Sequence, residues 1–134
     1  MPRISHLYFK TAVLFLILGI GMGLNMAISQ DHSVIGAHAH CNLLGWVTMA
    51  LFGGYYALNP RKAERRIAMI QYGIYTAGVT LMVPSLYLML LGNMAMEPVV
   101  AVASIITFIG VLLFAFVIFS GEQVAMTPST PSYR

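Results

Sequence analysis

Residues 34–58 read VIGAHAHCNLLGWVTMALFGGYYAL, and Asn59-Pro60 closes them. The run has no Asp, Glu, Lys or Arg, and it exceeds the ~20 residues a helix needs to cross the hydrocarbon of a bilayer. Three more apolar runs surround it. The first covers about 8–28 and ends at Ser29-Gln30-Asp31-His32. Another starts after Arg65-Arg66, covers about 67–91 and stops before Gly92-Asn93. The last covers about 97–119, opening at Glu97-Pro98 and closing at Ser120-Gly121. An acid and a proline in the first turn suit a helix N-terminus. The expected fold is all-α, a four-helix transmembrane domain over 1–121. A disordered tail over 122–134, rich in Pro, Ser and Thr, is expected to follow.

Composition points the same way. The chain is 59% hydrophobic and 8% charged, with mean hydropathy +0.82 over 134 residues, whereas about a quarter of a soluble domain is charged. Too few charges remain to solvate a surface, so the expected partner is a lipid bilayer. The net charge of +3 is no nucleic-acid signal, because the basic residues stand at the borders of the runs rather than along a polar face. Cys41 is the single cysteine, which excludes an intrachain disulfide and a Cys-x-x-Cys-His haem attachment. The first run, with Arg3 and Lys10 before it, is longer than the apolar core of a signal peptide and is expected to be kept as a span.

The loop charges predict the orientation. Arg3 and Lys10 precede the first run, and Arg61, Lys62, Arg65 and Arg66 separate the second from the third. The other two connections carry only Asp31 and Glu97. The positive-inside rule then puts both termini and the 59–66 loop in the cytoplasm of a bacterial inner membrane, with Asp31-His32 outside. Gly19, Gly21, Gly23, Gly53 and Gly54 suggest close helix packing or room for a flat ligand. Pro84 lies inside the third run and calls for compensation by neighbouring helices. The ten methionines read as filler or lipid-facing residues.

Gly36-Ala37-His38-Ala39-His40-Cys41-Asn42 carries the candidate chemistry. Helical positions two apart point to nearly opposite faces. His38 and His40 therefore cannot chelate one ion together, and a zinc-protease pair, which needs four-residue spacing, is rejected. Imidazoles inside a membrane are costly without partners, so function is the starting hypothesis. The bland alternative is a pair of interhelical hydrogen bonds. The small neighbours Gly36, Ala37 and Ala39 leave space beside the rings for a planar cofactor. Haem iron suits imidazole as an axial ligand, and copper does too. His32 beside Asp31 is a secondary candidate against a solvated loop residue, and Trp46 is either packing or a cofactor edge. His6 receives no role. Tyr55 and Tyr56 read as interface anchors, and Cys41 as a small helix residue.

The segment His38-Ala39-His40-Cys41-Asn42-Leu43-Leu44-Gly45-Trp46, continuing through Gly53-Gly54-Tyr55-Tyr56 to Pro60, resembles the haem-ligand helices of haem-copper oxidase subunit I. It is also similar to segments of cbb3-type and nitric-oxide-reducing members. In that family a His-x-His on one helix binds two haems, one on each side. Subunit I has about twelve helices in three four-helix arcs, with ligands from the second helix of each arc. This chain resembles one arc. The resemblance implies a homotrimer in which His38 of one protomer and His40 of its neighbour hold a b-type haem. The departures matter as well. The copper-ligand histidines, the active-site tyrosine partner and the outer arginines for haem propionates are missing, and no glutamate lies deep in a span. A complete oxidase site in one chain is therefore not expected. The leading expectation is electron transfer from an unidentified donor. The alternatives are a nitric-oxide- or oxygen-sensing haem protein, a cofactor-free interaction or assembly protein, and a copper site.

Overall fold

A computed structural model describes residues 1–121; the tail expected to be disordered, 122–134, lies outside the described residues. Among those described, the chain is helical and has no strand. Helix α1 (Arg3–Ser29) begins five residues before the expected border. Pro2 is its N-cap, with the amides of Ser5 and His6 bonded to the Pro2 carbonyl, so Lys10 falls within the helix. The residue Gln30 ends it in the left-handed region, at φ 57°.

The run that opened the reading forms one continuous helical path with a change of pitch inside it. Helix α2 (Ile35–His40) passes into a π-helical stretch (Cys41–Thr48) and then into α3 (Met49–Leu58). The backbone at both junctions keeps helical angles, φ −64° and ψ −40° at His40 and φ −65° and ψ −38° at Met49. A short α4 (Pro60–Ala63) leads to α5 (Arg66–Leu90). A 3₁₀ turn (Met94–Met96) then precedes α6 (Glu97–Phe119), which has Pro98 in its first turn as expected. Three of these helices, α1, α5 and the stretch from Met94 to Phe119, are long and apolar enough to cross a membrane. The α2–α3 path differs because its pitch changes, not because its composition turns polar.

Burial fits a lipid solvent. Leu14, Ile17, Leu18, Leu24 and Phe108 are all more than half exposed, which water would penalise heavily. The buried core instead gathers aromatic rings from several helices: Tyr8 of α1, Phe52 and Tyr56 of α3, and Tyr75 of α5. Phe52 meets Tyr8 edge-on at 5.6 Å and Tyr75 at 5.0 Å between centroids.

Helices α5 and α6 form the most extensive contact between two helices among the described residues. It depends on two glycines that composition did not single out. A Cβ on Gly78 would lie 2.6 Å from the Thr107 backbone nitrogen, and one on Gly110 would lie 2.8 Å from the Tyr75 Cα. Between α1 and the α2–α3 path, Gly19, Gly23, Gly45 and Gly53 are likewise pressed against Asn42, His38, Phe15 and Tyr8. Gly21 and Gly54 face open space, so only part of the glycine pattern serves packing. At the Pro60 end, Lys62 bends inward. Its ammonium donates to Tyr55 Oη and to the Ile118 carbonyl, both at 3.0 Å, tying the last turn of α6 to α3. Arg65 donates to Ser120 Oγ at 2.7 Å beside it.

Candidate functional site

The two histidines stand at the end of α2, just before the pitch changes. His38 turns towards α1 and is half-buried. Its ring lies over Gly23, where an added Cβ would come within 3.0 Å of His38 Cε1. Its Nδ1 is 2.8 Å from the Gly19 carbonyl oxygen. His40 points the other way and is exposed; its Nδ1 is 2.8 Å from the carbonyl oxygen of Gly36, one turn back on its own helix. The two rings thus have separate surroundings.

These bonds decide the tautomer. A carbonyl oxygen only accepts, so each Nδ1 must carry the proton and donate it. In a neutral imidazole the lone pair then belongs to Nε2. Asn42 also approaches His38, with Nδ2 3.4 Å from Nδ1. That is the weaker contact, because the amide donates at 2.9 Å to the His38 carbonyl. Metal-binding histidines are oriented in this way, with the second ring nitrogen held by a backbone carbonyl or a carboxylate. The arrangement suits an axial haem ligand. No group of three or more His, Cys, Asp or Glu among the described residues could hold one metal ion, so a metal at either imidazole would need ligands from elsewhere.

The other sequence candidates are placed as follows. His32 is exposed in the connection after α1, where its carbonyl accepts from the Ile35 amide at 3.1 Å. The adjacent Asp31 carboxylate accepts from the Ser33 hydroxyl and, at 2.9 Å, from the Ser33 amide. Those bonds, the side-chain one foremost, hold its carboxyl below the usual carboxylate range. Trp46, in the π-helical stretch, packs half-buried against the aromatic core. His6 is exposed near the start of α1, away from the pair. Cys41 is fully buried, with its thiol directed at the Phe15 carbonyl at 3.3 Å.

A second polar centre lies deeper. Gln71 of α5 is fully buried. Its Oε1 accepts from the hydroxyls of Tyr8 and Tyr56, the latter at 3.3 Å, while its Nε2 donates to the Gly110 carbonyl at 3.3 Å. One amide therefore joins α1, α3, α5 and α6. Gln71 is visible in the sequence as a lone amide within an apolar run. Its two tyrosine partners come from other helices, Tyr8 from 63 residues and Tyr56 from 15 residues earlier, and no spacing marks them. A groove of about 600 Å³ also runs between α1 and α5, lined mainly by apolar side chains such as Leu14, Leu18, Val83 and Pro84.

No family model matches the chain, and no curated protein or solved structure is significantly similar to it.

Proposed function

We propose that the chain is a haem b-binding integral membrane protein that transfers electrons, with His38 and His40 as axial ligands of different haems. The observation that carries this reading is the matched pair of carbonyl bonds at Nδ1, from Gly19 and Gly36. They leave two Nε2 lone pairs on opposite sides of one helix. His40 adds weight, because an exposed imidazole on an apolar surface is costly unless something outside the protomer takes up its free nitrogen.

In this reading the α2–α3 path is a fourth span, and the Lys62 end of the bundle faces the cytoplasm of a bacterial inner membrane. Three copies close a ring in which each site takes His38 from one protomer and His40 from the next. A haem held there supplies a one-electron ferric/ferrous couple. The chain's part would be to hold both rings through the two carbonyls. Gly23 makes room for the His38 ring itself, where a side chain would collide with it. Two imidazole ligands at one haem would leave no position for a substrate, which favours electron transfer over catalysis.

The test is an absorption spectrum of the detergent-purified protein from haem-replete cells, oxidised and then reduced with dithionite. Sharp reduced α and β bands with a shifted Soret band are expected. A colourless preparation would remove the haem reading and leave histidines that only bond helices together.

A further inference from the structure

The π-helical stretch Cys41–Thr48 lies directly after the histidines. Bonding from i to i+5 puts about one more residue in each turn than an α-helix does. The faces of α2 are therefore rotated against those of α3, relative to a path of uniform α pitch. The aim of His38 and His40 with respect to the Met49, Phe52 and Tyr56 core face depends on keeping the wider turn.

Such a turn is rare and poorly stabilised by its own backbone, so something must hold it. Two hydroxyls do. Thr48 Oγ1 donates to the Leu43 carbonyl at 2.7 Å, and Tyr75 Oη donates from α5 to the Leu44 carbonyl at 3.0 Å. The second bond is the only one of the two that comes from another helix, and its donor is anchored. Tyr75 is fully buried, its ring stands edge-on to Phe52, and its backbone is pressed against Gly110. A tyrosine so fixed puts its hydroxyl at one height along the neighbouring path. It selects which carbonyl can turn out of the helical ladder to meet it.

We infer that Tyr75 is a positioning residue that locks the π-helical register and thereby aims the histidine pair. Its consequence for the ligands rests on the haem reading; the lock itself rests on the bonds to Leu43 and Leu44. With the hydroxyl gone, the stretch relaxes towards α spacing. The imidazoles then turn relative to α3, while the Phe52 contact and the α5–α6 packing stay in place.

The experiment compares the full-length wild-type protein, purified with the haem it acquires in the cell, with Tyr75→Phe and with Tyr72→Phe. The last is a control that deletes a different hydroxyl, the one 2.7 Å from Thr11 Oγ1. Amide hydrogen exchange in detergent reports on residues 41–48, and the electron paramagnetic resonance of the ferric protein reports the angle between the two imidazole planes. Tyr75→Phe is expected to speed exchange across 44–48 about tenfold, the loss of one hydrogen bond. It should also shift the resonance and the midpoint potential, whereas Tyr72→Phe leaves all three unchanged. If exchange across 41–48 is unaltered, the lock is refuted. Faster exchange with an unmoved resonance and potential refutes the positioning role. If the wild-type chain binds no haem, the haem reading falls separately, and exchange still decides the lock. Should Tyr75→Phe fail to accumulate, Thr48→Val removes the other hydroxyl; unaltered exchange in that variant would count against a hydroxyl-held register.

Discussion

His40 is exposed and His38 is half-buried against α1, each with its Nδ1 taken by a carbonyl. Because each proposed site uses one ring of each kind, His38→Ala and His40→Ala should each remove essentially all haem, read as loss of the Soret band at unchanged protein yield. A variant that keeps half of its haem would show the sites to be independent. Gln71→Leu tests the other polar centre. It leaves the Tyr8 and Tyr56 hydroxyls buried without their acceptor, which costs about 1–3 kcal/mol, and thermal unfolding in detergent should register the loss without any change in haem spectrum. The histidine pair was legible in the sequence because a His-x-His in an apolar run is conspicuous. Of its carbonyl partners, Gly36 lies one turn before His40 on the same helix, but Gly19 lies on a different helix, and only the crossing of α1 with α2 brings it within reach of His38.

Among the elements, the long apolar runs were readable from composition, and α5 and α6 sit within a residue of their expected limits. The widened turn was not readable. Nothing in Cys41-Asn42-Leu43-Leu44-Gly45-Trp46-Val47-Thr48 forbids an ordinary α-helix, and the hydroxyl that meets Leu44 belongs to α5. The glycine contacts were half readable for the same reason, since a sequence lists small residues without saying which ones meet a neighbour. Gly110→Val should therefore disrupt the α5–α6 contact and lower stability by roughly 1–3 kcal/mol, whereas Gly54→Val, facing open space, should be nearly silent in the same thermal assay. The turn joining α1 to α2 makes a pH prediction. Ser33 holds the Asp31 carboxyl below its ordinary range, so the bond contributes at every pH above the unfolded value and is lost as pH falls through the depressed one. Hydrogen exchange at the Ser33 amide should be protected at neutral pH and lose that protection only in acid; Asp31→Ala should remove the acid dependence.

For the molecule as a whole, the basic residues among those described gather at the Lys62 end and the acidic Asp31 turn marks the opposite end. Single cysteines placed at Glu64 and at His32, in a Cys41→Ala background, should differ in labelling by a membrane-impermeant maleimide in intact cells, with position 32 reacting and position 64 silent. The reverse pattern would invert the orientation. Light scattering of the detergent complex, corrected for bound detergent, should give three chains per particle; a monomer with full haem content would dismiss the shared sites. The four-way junction at Gln71 also bears on biogenesis. A ribosome delivers α1 well before α5, so Tyr8, 63 residues ahead of Gln71, is made before the amide that will accept its hydrogen bond. Until α5 arrives, the Tyr8 hydroxyl must find another partner, such as water or a lipid headgroup. The junction that joins α1 to the rest of the bundle is therefore among the last parts of the molecule able to form.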